Sequence, residues 1–168
     1  KLCEIITGNV VHDTNIYTTL TNPTNISSAA DNIFFGRESG LCITTGVNNI
    51  GSGACSLRFL CSGSNNIGIG MCALLNTNTG SFNVSIGCDS LRLNCSGNNN
   101  VGIGASAIYS NTIGFDNIGV GNSALRSNDS GRNNIALGNS SLYNNISGIH
   151  NIALGRLSMY YNSNGCDN

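Results

Sequence analysis

The chain has 168 residues, only 9% of them are charged, and its formal net charge is −1. A chain so poor in lysine and arginine excludes proteins that bind nucleic acid or anionic membrane surfaces electrostatically, and no apolar run approaches the roughly 18 residues of a transmembrane helix. Its composition is dominated by 29 asparagines and 22 glycines. Such a composition is typical either of low-complexity disorder or of a repeat fold.

A 17-residue repeat decides between these two classes. Glycine recurs at this spacing from Gly46 to Gly165, and asparagine recurs on the same grid from Asn15 to Asn168. In chain order, residues 1–28 are expected to form an N-terminal cap or junction with a degenerate coil. Residues 29–168 then form the repeat region, with a degenerate repeat at 29–45, seven full repeats at 46–164 and a truncated one at 165–168. We expect the chain to be a piece of a longer protein.

Each repeat contains one strand signal. If Gly46 and its equivalents are position 1, then positions 5 and 7 are large aliphatic residues that flank a small residue at position 6, which is the alternation of a β-strand. Position 12, for example Leu57 and Leu91, is expected to face the same core. The predicted core residues at positions 5 and 7 are Ile50, Ile67, Ile69, Ile86, Val101, Ile103, Ile118, Val120, Ile135, Leu137, Ile152 and Leu154.

The repeat predicts an all-β fold, a parallel β-solenoid or β-roll of 17-residue coils. Neighbouring coils would lie about 4.8 Å apart, which gives a rod roughly 40 Å long. The asparagine at position 4 then forms a hydrogen-bonded ladder along the stack, or marks a corner, since asparagine tolerates the left-handed conformation. The predicted ladder residues are Asn32, Asn49, Asn66, Asn83, Asn100, Asn117, Asn134 and Asn151.

Glycine occupies positions 1 and 8 of every full repeat. We expect it there because a corner demands either a positive φ or a close backbone approach. The predicted turn glycines are Gly63, Gly70, Gly80, Gly87, Gly97, Gly104, Gly114, Gly121, Gly131 and Gly138.

Position 13 is the most distinctive surface feature. Arginine recurs there in every second coil, which keeps like charges from stacking directly, and tyrosine or leucine lies between. The predicted contact stripe comprises Arg58, Arg92, Tyr109, Arg126, Tyr143 and Tyr160. It could join subunits or bind glycans, since arginine and tyrosine are favoured at interfaces. The alternative is a solvated edge.

The eight cysteines and six N-x-S/T sequons leave modification open. Cys55 and Cys72 share position 10 in adjacent coils, at a Cα spacing compatible with a disulfide; free thiols that pack as small apolar residues are the alternative. Among the sequons, Asn94, Asn128 and Asn145 share position 15, which we expect to be an exposed turn. Asn83 lies in the ladder column and is a poor glycan acceptor.

Catalytic chemistry is not expected. The Gly-x-Gly triplets, such as Gly102–Gly104, recur in most coils and are not followed by a helix, so they are not phosphate-binding loops. His12 and His150 have no recurring serine or carboxylate beside them, and no zinc-ligand spacing is present. We therefore predict no catalytic residue, no metal site and no cofactor.

The unit Gly97-Asn98-Asn99-Asn100-Val101-Gly102-Ile103-Gly104-Ala105-Ser106-Ala107-Ile108-Tyr109-Ser110-Asn111-Thr112 resembles the N-(T/I)-A-(I/V)-G-x-x-A-L-x-S-N-T-T-G repeats of phage and large-DNA-virus tail-fibre-like proteins. It is more distantly similar to the A-(I/V)-G-x-x-(A/S) repeats in the heads of trimeric autotransporter adhesins. The resemblance implies a parallel β-roll, usually trimeric, carried on a surface fibre. The eight cysteines depart from the viral pattern.

Together these observations predict a structural segment of an elongated fibre on a virion, or on an extracellular or cell surface. We expect self-association as a homotrimer, with coils that could also stack end to end, and neither nucleic-acid binding nor membrane insertion. The alternative is an adhesin or receptor-binding module that recognises host-surface glycans or proteins along position 13. An ice-binding face would need a uniform threonine column, which the repeat lacks.

Overall fold

The computed structural model describes residues 29–168 and the backbone of Ile16–Tyr17. In this part of the chain the strands are β1 (Ile16–Tyr17), β2 (Ile33–Phe35), β3 (Ile50–Ser52), β4 (Ile67–Ile69), β5 (Val84–Ile86), β6 (Val101–Ile103), β7 (Ile118–Val120), β8 (Ile135–Leu137) and β9 (Ile152–Leu154). They form one sheet in chain order. Apart from β1, the predicted cap at 1–28 lies outside the described residues.

The sheet is parallel and keeps one register throughout. Ile16 pairs with Ile33 at one end and Ile135 pairs with Ile152 at the other, always 17 residues apart. At about 4.8 Å per strand, the stack is roughly 38 Å long from β1 to β9. The structure therefore confirms the parallel β-solenoid of 17-residue coils.

The space between positions 6 and 12 holds one large apolar side chain in each coil, and the first two described coils bury a second one at position 15, Ile43 and Leu60. Position 12 fills this space in most coils, and its residues Leu57, Leu74, Leu91, Ile108, Leu125 and Leu142 are all fully buried. Position 6 faces them with a small residue. The first described coil exchanges the two roles: Phe34 stands at position 6 and Gly40 at position 12, where an added Cβ would lie 2.5 Å from the Phe34 ring.

The prediction that positions 5 and 7 form the core of the coil is wrong. The small residue at position 6 faces inward, because the position 12 side chain occupies the space opposite it: a Cβ added at Gly119 would lie 2.7 Å from Ile108 Cγ1. Of the predicted core residues, Ile50, Ile69, Ile86, Ile103, Ile118, Leu137, Ile152 and Leu154 are exposed, by 37% to 65%. The remaining four, Ile67, Val101, Val120 and Ile135, are partly exposed. We call positions 5 and 7 of strands β2–β9 the outer apolar face.

Left-handed residues turn the chain at each corner. Positions 3, 10 and 12 have positive φ in successive coils, for example Asn65 (59°), Cys72 (57°) and Leu74 (53°). Even the β-branched Ile108 adopts φ 49°, a conformation that is costly for such a residue. The stack therefore imposes the conformation, and the ladders and the packing of position 12 compensate for the strain.

The two glycine columns serve different needs. Gly104 at position 8 has φ 126°, and an added Cβ would lie 2.6 Å from the Gly121 carbonyl oxygen. Gly63 at position 1 needs no positive φ, but its Cβ would lie 2.1 Å from the Gly80 carbonyl oxygen. Position 1 thus requires glycine only for the close approach of adjacent coils, whereas position 8 requires it for both reasons.

Candidate functional site

The asparagines at position 4 form a continuous buried ladder. The backbone N–H of Asn66 donates to Asn49 Oδ1 at 2.9 Å, and Asn66 Nδ2 donates to the same oxygen at 3.0 Å. Asn66 Nδ2 also donates to the carbonyl oxygen of Gly80 at 2.9 Å. The pattern links all eight predicted ladder residues, each 0% exposed, and continues to Asn168. Every interior amide is therefore satisfied by the adjacent coil, which fixes the register of the stack.

A second ladder at position 15 differs from the prediction of an exposed turn. Asn111 Nδ2 donates to Asn94 Oδ1 at 2.6 Å and to the Gly114 carbonyl oxygen at 2.8 Å. Asn94, Asn128 and Asn145 are fully buried, so these sequons are not accessible in the folded chain. The sequence did contain a signal: the same position is apolar in Leu60, and an exposed turn would not favour leucine.

At position 13 the predicted stripe is a half-buried stack of side chains rather than a free edge. In its N-terminal part the arginines are paired with carboxylates: Arg58 lies 3.1 Å from Glu38, and Arg92 lies 3.0 Å from Asp89. Burial alone would lower the pKa of Arg92, but Tyr109 and Asp89 together raise it above its usual value. These arginines are neutralised within the chain.

The C-terminal part of the stripe is aromatic. The Arg126 guanidinium carbon lies 5.1 Å from the centre of the Tyr109 ring and 5.8 Å from that of Tyr143, and Arg126 donates to the Tyr143 hydroxyl at 3.1 Å. Tyr143 then stacks on Tyr160 at 4.9 Å between ring centres. Within residues 29–168 no carboxylate pairs with Arg126, so its partners in this part of the chain are the tyrosines.

A shallow cleft of about 460 Å³ lies beside the last coil. It is lined by Asn139, Ser140, Arg156, Leu157, Tyr160 and Tyr161. Tyr161 is 86% exposed. The cleft contains no buried charged side chain, so it offers a surface for contact and no enclosed catalytic pocket.

The cysteines are free thiols in the described region. Cys55 and Cys72 do lie in adjacent coils at position 10, but no disulfide joins them. In-register neighbours keep their Cβ atoms near the coil spacing of about 4.8 Å, whereas a disulfide needs about 3.8 Å. Instead, the Cys55 thiol donates to Glu38 Oε2 at 3.5 Å. Cys3 lies outside the described residues.

Burial is the first cause of the raised thiol pKa values. It raises the pKa of Cys42, Cys55 and Cys88. Glu38 raises the pKa of Cys55 further, and Asp89 does the same for Cys88. These three thiols are consequently protonated and weakly nucleophilic at neutral pH.

Among residues 29–168, no group of three or more histidine, cysteine or acidic side chains is placed to hold a metal ion. His150 Nδ1 lies 3.0 Å from Asp167 Oδ1 at an exposed corner. His12 is outside the described residues. The described part of the chain also contains no helix with the length and apolar character needed to cross a membrane.

Comparison of the chain with family models, with curated proteins and with solved structures finds no match.

Proposed function

We propose that this chain is a structural repeat segment of an elongated surface or virion fibre, built by stacked coils and homotrimerisation. The observation that carries the proposal is the unbroken 17-residue register from β1 to β9, together with the asparagine ladder from Asn32 to Asn168. Such a stack is quasi-one-dimensional, so its length can grow by adding repeats while its cross-section stays constant.

The side-chain chemistry supports a mechanical role. Most of the interior polar groups hydrogen-bond to the backbone or to the asparagine ladders, and three of the six arginines in residues 29–168 are paired with carboxylates of the same chain. We place the segment on a virion, or on an extracellular or cell surface, and assign it no catalytic, metal-dependent or nucleic-acid-binding role. End-to-end stacking of coils belongs to the same proposal.

Repeat duplication tests the structural role. Insertion of a second copy of residues 97–164 after Asn164 adds four coils, which should lengthen the particle by roughly 19 Å. Small-angle X-ray scattering should show this gain with an unchanged cross-sectional radius of gyration. A thicker particle of unchanged length would contradict the proposal.

Immunogold electron microscopy tests the location. An antibody raised against residues 29–168 should label projections on intact particles or cells. Labelling confined to the cell interior would contradict a surface fibre.

A second function, adhesion through position 13, is favoured by one observation. Arg126 lies between two tyrosine rings without a carboxylate partner among residues 29–168, a combination suited to a glycan that carries a carboxylate. A guanidinium pairs with the anion, and the ring edges contact the sugar.

A variant set separates adhesion from structure. Arg126→Met with Tyr109→Leu should abolish binding to acidic glycans on an array. The variant loses three cation–π contacts at about 0.5–1 kcal/mol each, so it should lose about 1.5–3 kcal/mol of stability and keep its fold. Arg92→Met, whose arginine is already paired with Asp89, is the matched control and should still bind. Unchanged glycan binding in the Arg126 and Tyr109 variant would end this candidate.

A further inference from the structure

The outer apolar face is the largest unexplained surface of the described chain. Eight strands, β2–β9, each place two side chains on it, and the face runs about 34 Å along the stack. Nine of these side chains, including Phe35, Ile86 and Leu154, are between 37% and 65% exposed. The set is Ile33, Phe35, Ile50, Ser52, Ile67, Ile69, Val84, Ile86, Val101, Ile103, Ile118, Val120, Ile135, Leu137, Ile152 and Leu154.

This much apolar surface is unusual for a monomer. Contiguous apolar patches on monomeric proteins rarely exceed a few hundred Å², and sixteen aligned positions exceed that range. Their combined exposed area is of the order of the ~800 Å² that one partner contributes to a standard interface. The face is therefore large enough to support a stable association by itself.

We propose that the outer apolar face packs against further copies of this chain, side by side, with parallel axes and coils at equal height. The inference rests on the proposed trimer and identifies the surface that forms it. No residue at positions 5 and 7 of β2–β9 is charged, so nothing on the face repels a second copy.

The spacing of the face favours an identical partner. Its side chains form ridges that repeat at about 4.8 Å, and a partner with the same repeat can interdigitate along the full length, as identical side chains do in steric zippers. A globular partner would match these ridges over only one or two coils. A second copy supplies the same period over all eight strands.

The two edges of the face set its orientation. Position 3 forms one edge and contains Asp31, Asp116 and Asp167, whereas position 9 forms the other and contains Arg37 and Arg156. In a cyclic assembly with parallel axes, the position 3 edge of each copy meets the position 9 edge of the next. At equal coil height, Asp31 of one copy then meets Arg37 of the next, and Asp116 meets the uncharged Asn122. An antiparallel pair would bring the acidic edges together, which costs free energy.

Light scattering on matched variants tests the surface. Ile86→Asn with Ile103→Asn alters two central positions of the face, and the expected result is a fall from the wild-type oligomeric mass to 17.4 kDa. Ile113→Asn with Ile146→Asn is the control, because these residues are 58% and 48% exposed but lie at positions 17 and 16, off the face. The control should keep the wild-type mass.

The outcomes separate the two proposals. A wild-type mass of 17.4 kDa would overturn both the trimer and this interface. An oligomeric wild type whose mass is unchanged in the Ile86 and Ile103 variant, or is lost in the Ile113 and Ile146 variant, would overturn the interface and leave the fibre proposal standing.

A measurement without substitutions covers the case in which the variant fails to fold. In wild-type oligomers mixed from ¹³C-methyl-labelled and unlabelled chains, isotope-filtered NOE spectra should show contacts between chains from the Ile86 and Ile103 methyl groups. Contacts between Ile33 of one copy and Ile152 of another would contradict the parallel arrangement. Absence of any contact between chains from the face would overturn the proposal.

Discussion

The two halves of the solenoid satisfy the carbonyl groups of the position 1 glycines with different sets of side-chain donors. In the N-terminal coils, position 15 is apolar (Ile43, Leu60), and the Gly63 carbonyl oxygen, three residues after Leu60, accepts a side-chain hydrogen bond from Asn49 alone. In the C-terminal coils, position 15 is asparagine, and the Gly131 carbonyl oxygen accepts from both Asn117 and Asn128. The stack thus tolerates either an apolar or an amide filling at this corner, provided that position 4 remains asparagine.

Removing one position 4 asparagine from each half should have the largest effect on stability. Asn66→Ala leaves two buried groups without a side-chain partner, the Asn83 N–H and the Gly80 carbonyl, at about 1–3 kcal/mol each. We expect a loss of about 4 kcal/mol. In Asn117→Ala the Gly131 carbonyl keeps its bond from Asn128, so the loss should be about 2–3 kcal/mol. Urea denaturation measures both, and equal losses would contradict the two-ladder account.

The first described coil tests whether positions 6 and 12 share the space for one large side chain. Gly40→Leu would force a leucine into the Phe34 ring and should cost about 3 kcal/mol, as overpacking does. Adding Phe34→Gly converts the coil to the arrangement of its neighbours and should restore most of the stability. Chemical denaturation of the two single variants and the double variant gives the coupling energy. Additive effects would show that Phe34 and Gly40 do not share one volume.

Thr77 lies between the two kinds of coil, and its buried Oγ1 has no hydrogen-bond partner. Thr77→Asn would extend the second ladder by one coil. Asn94 and Gly80 lie around position 77 as Asn111 and Gly97 lie around Asn94, one coil later. The expected gain is about 1–2 kcal/mol. Thr77→Val, which only removes the unsatisfied hydroxyl, should gain about 1 kcal/mol. A destabilised Thr77→Asn variant in thermal or urea unfolding would show that the coil cannot accept the second ladder here.

The smallest expected effect is the pH dependence of stability that comes from the Cys55 thiol in the N-terminal coils. Because its pKa is raised in the folded state, mainly by burial and then by Glu38, the folded chain holds the thiol proton more tightly than the unfolded chain. The stabilising contribution of this thiol is fully present below its unfolded-state pKa of about 8.5 and is lost as pH rises through its folded-state pKa. Glu38→Gln should shift the alkylation midpoint of Cys55 to lower pH. An unchanged alkylation midpoint would show that Glu38 does not raise the pKa of Cys55.

The repeat predicted the fold, its register and the position 4 ladder because those features depend on residues that recur in every coil. Alternation at positions 5 to 7 showed that large and small residues lie on opposite faces, but it could not tell which face was inside. The inner face is the one that contacts position 12, because Leu91 and its equivalents already occupy the inside of the 17-residue coil. The second ladder was missed because asparagine followed by serine also marks exposed turns, and only the exchange with Leu60 indicates burial.

The most direct test of the account is the native mass of the wild-type chain by light scattering, with and without reductant. Since the outer apolar face requires partners and the thiols are free, we expect three times 17.4 kDa in both conditions. A mass of 17.4 kDa in both would mean that the coil is stable with this face in solvent, and would contradict the assembly. An oligomer that dissociates with reductant would show that disulfides, and not the apolar face, hold the chains together.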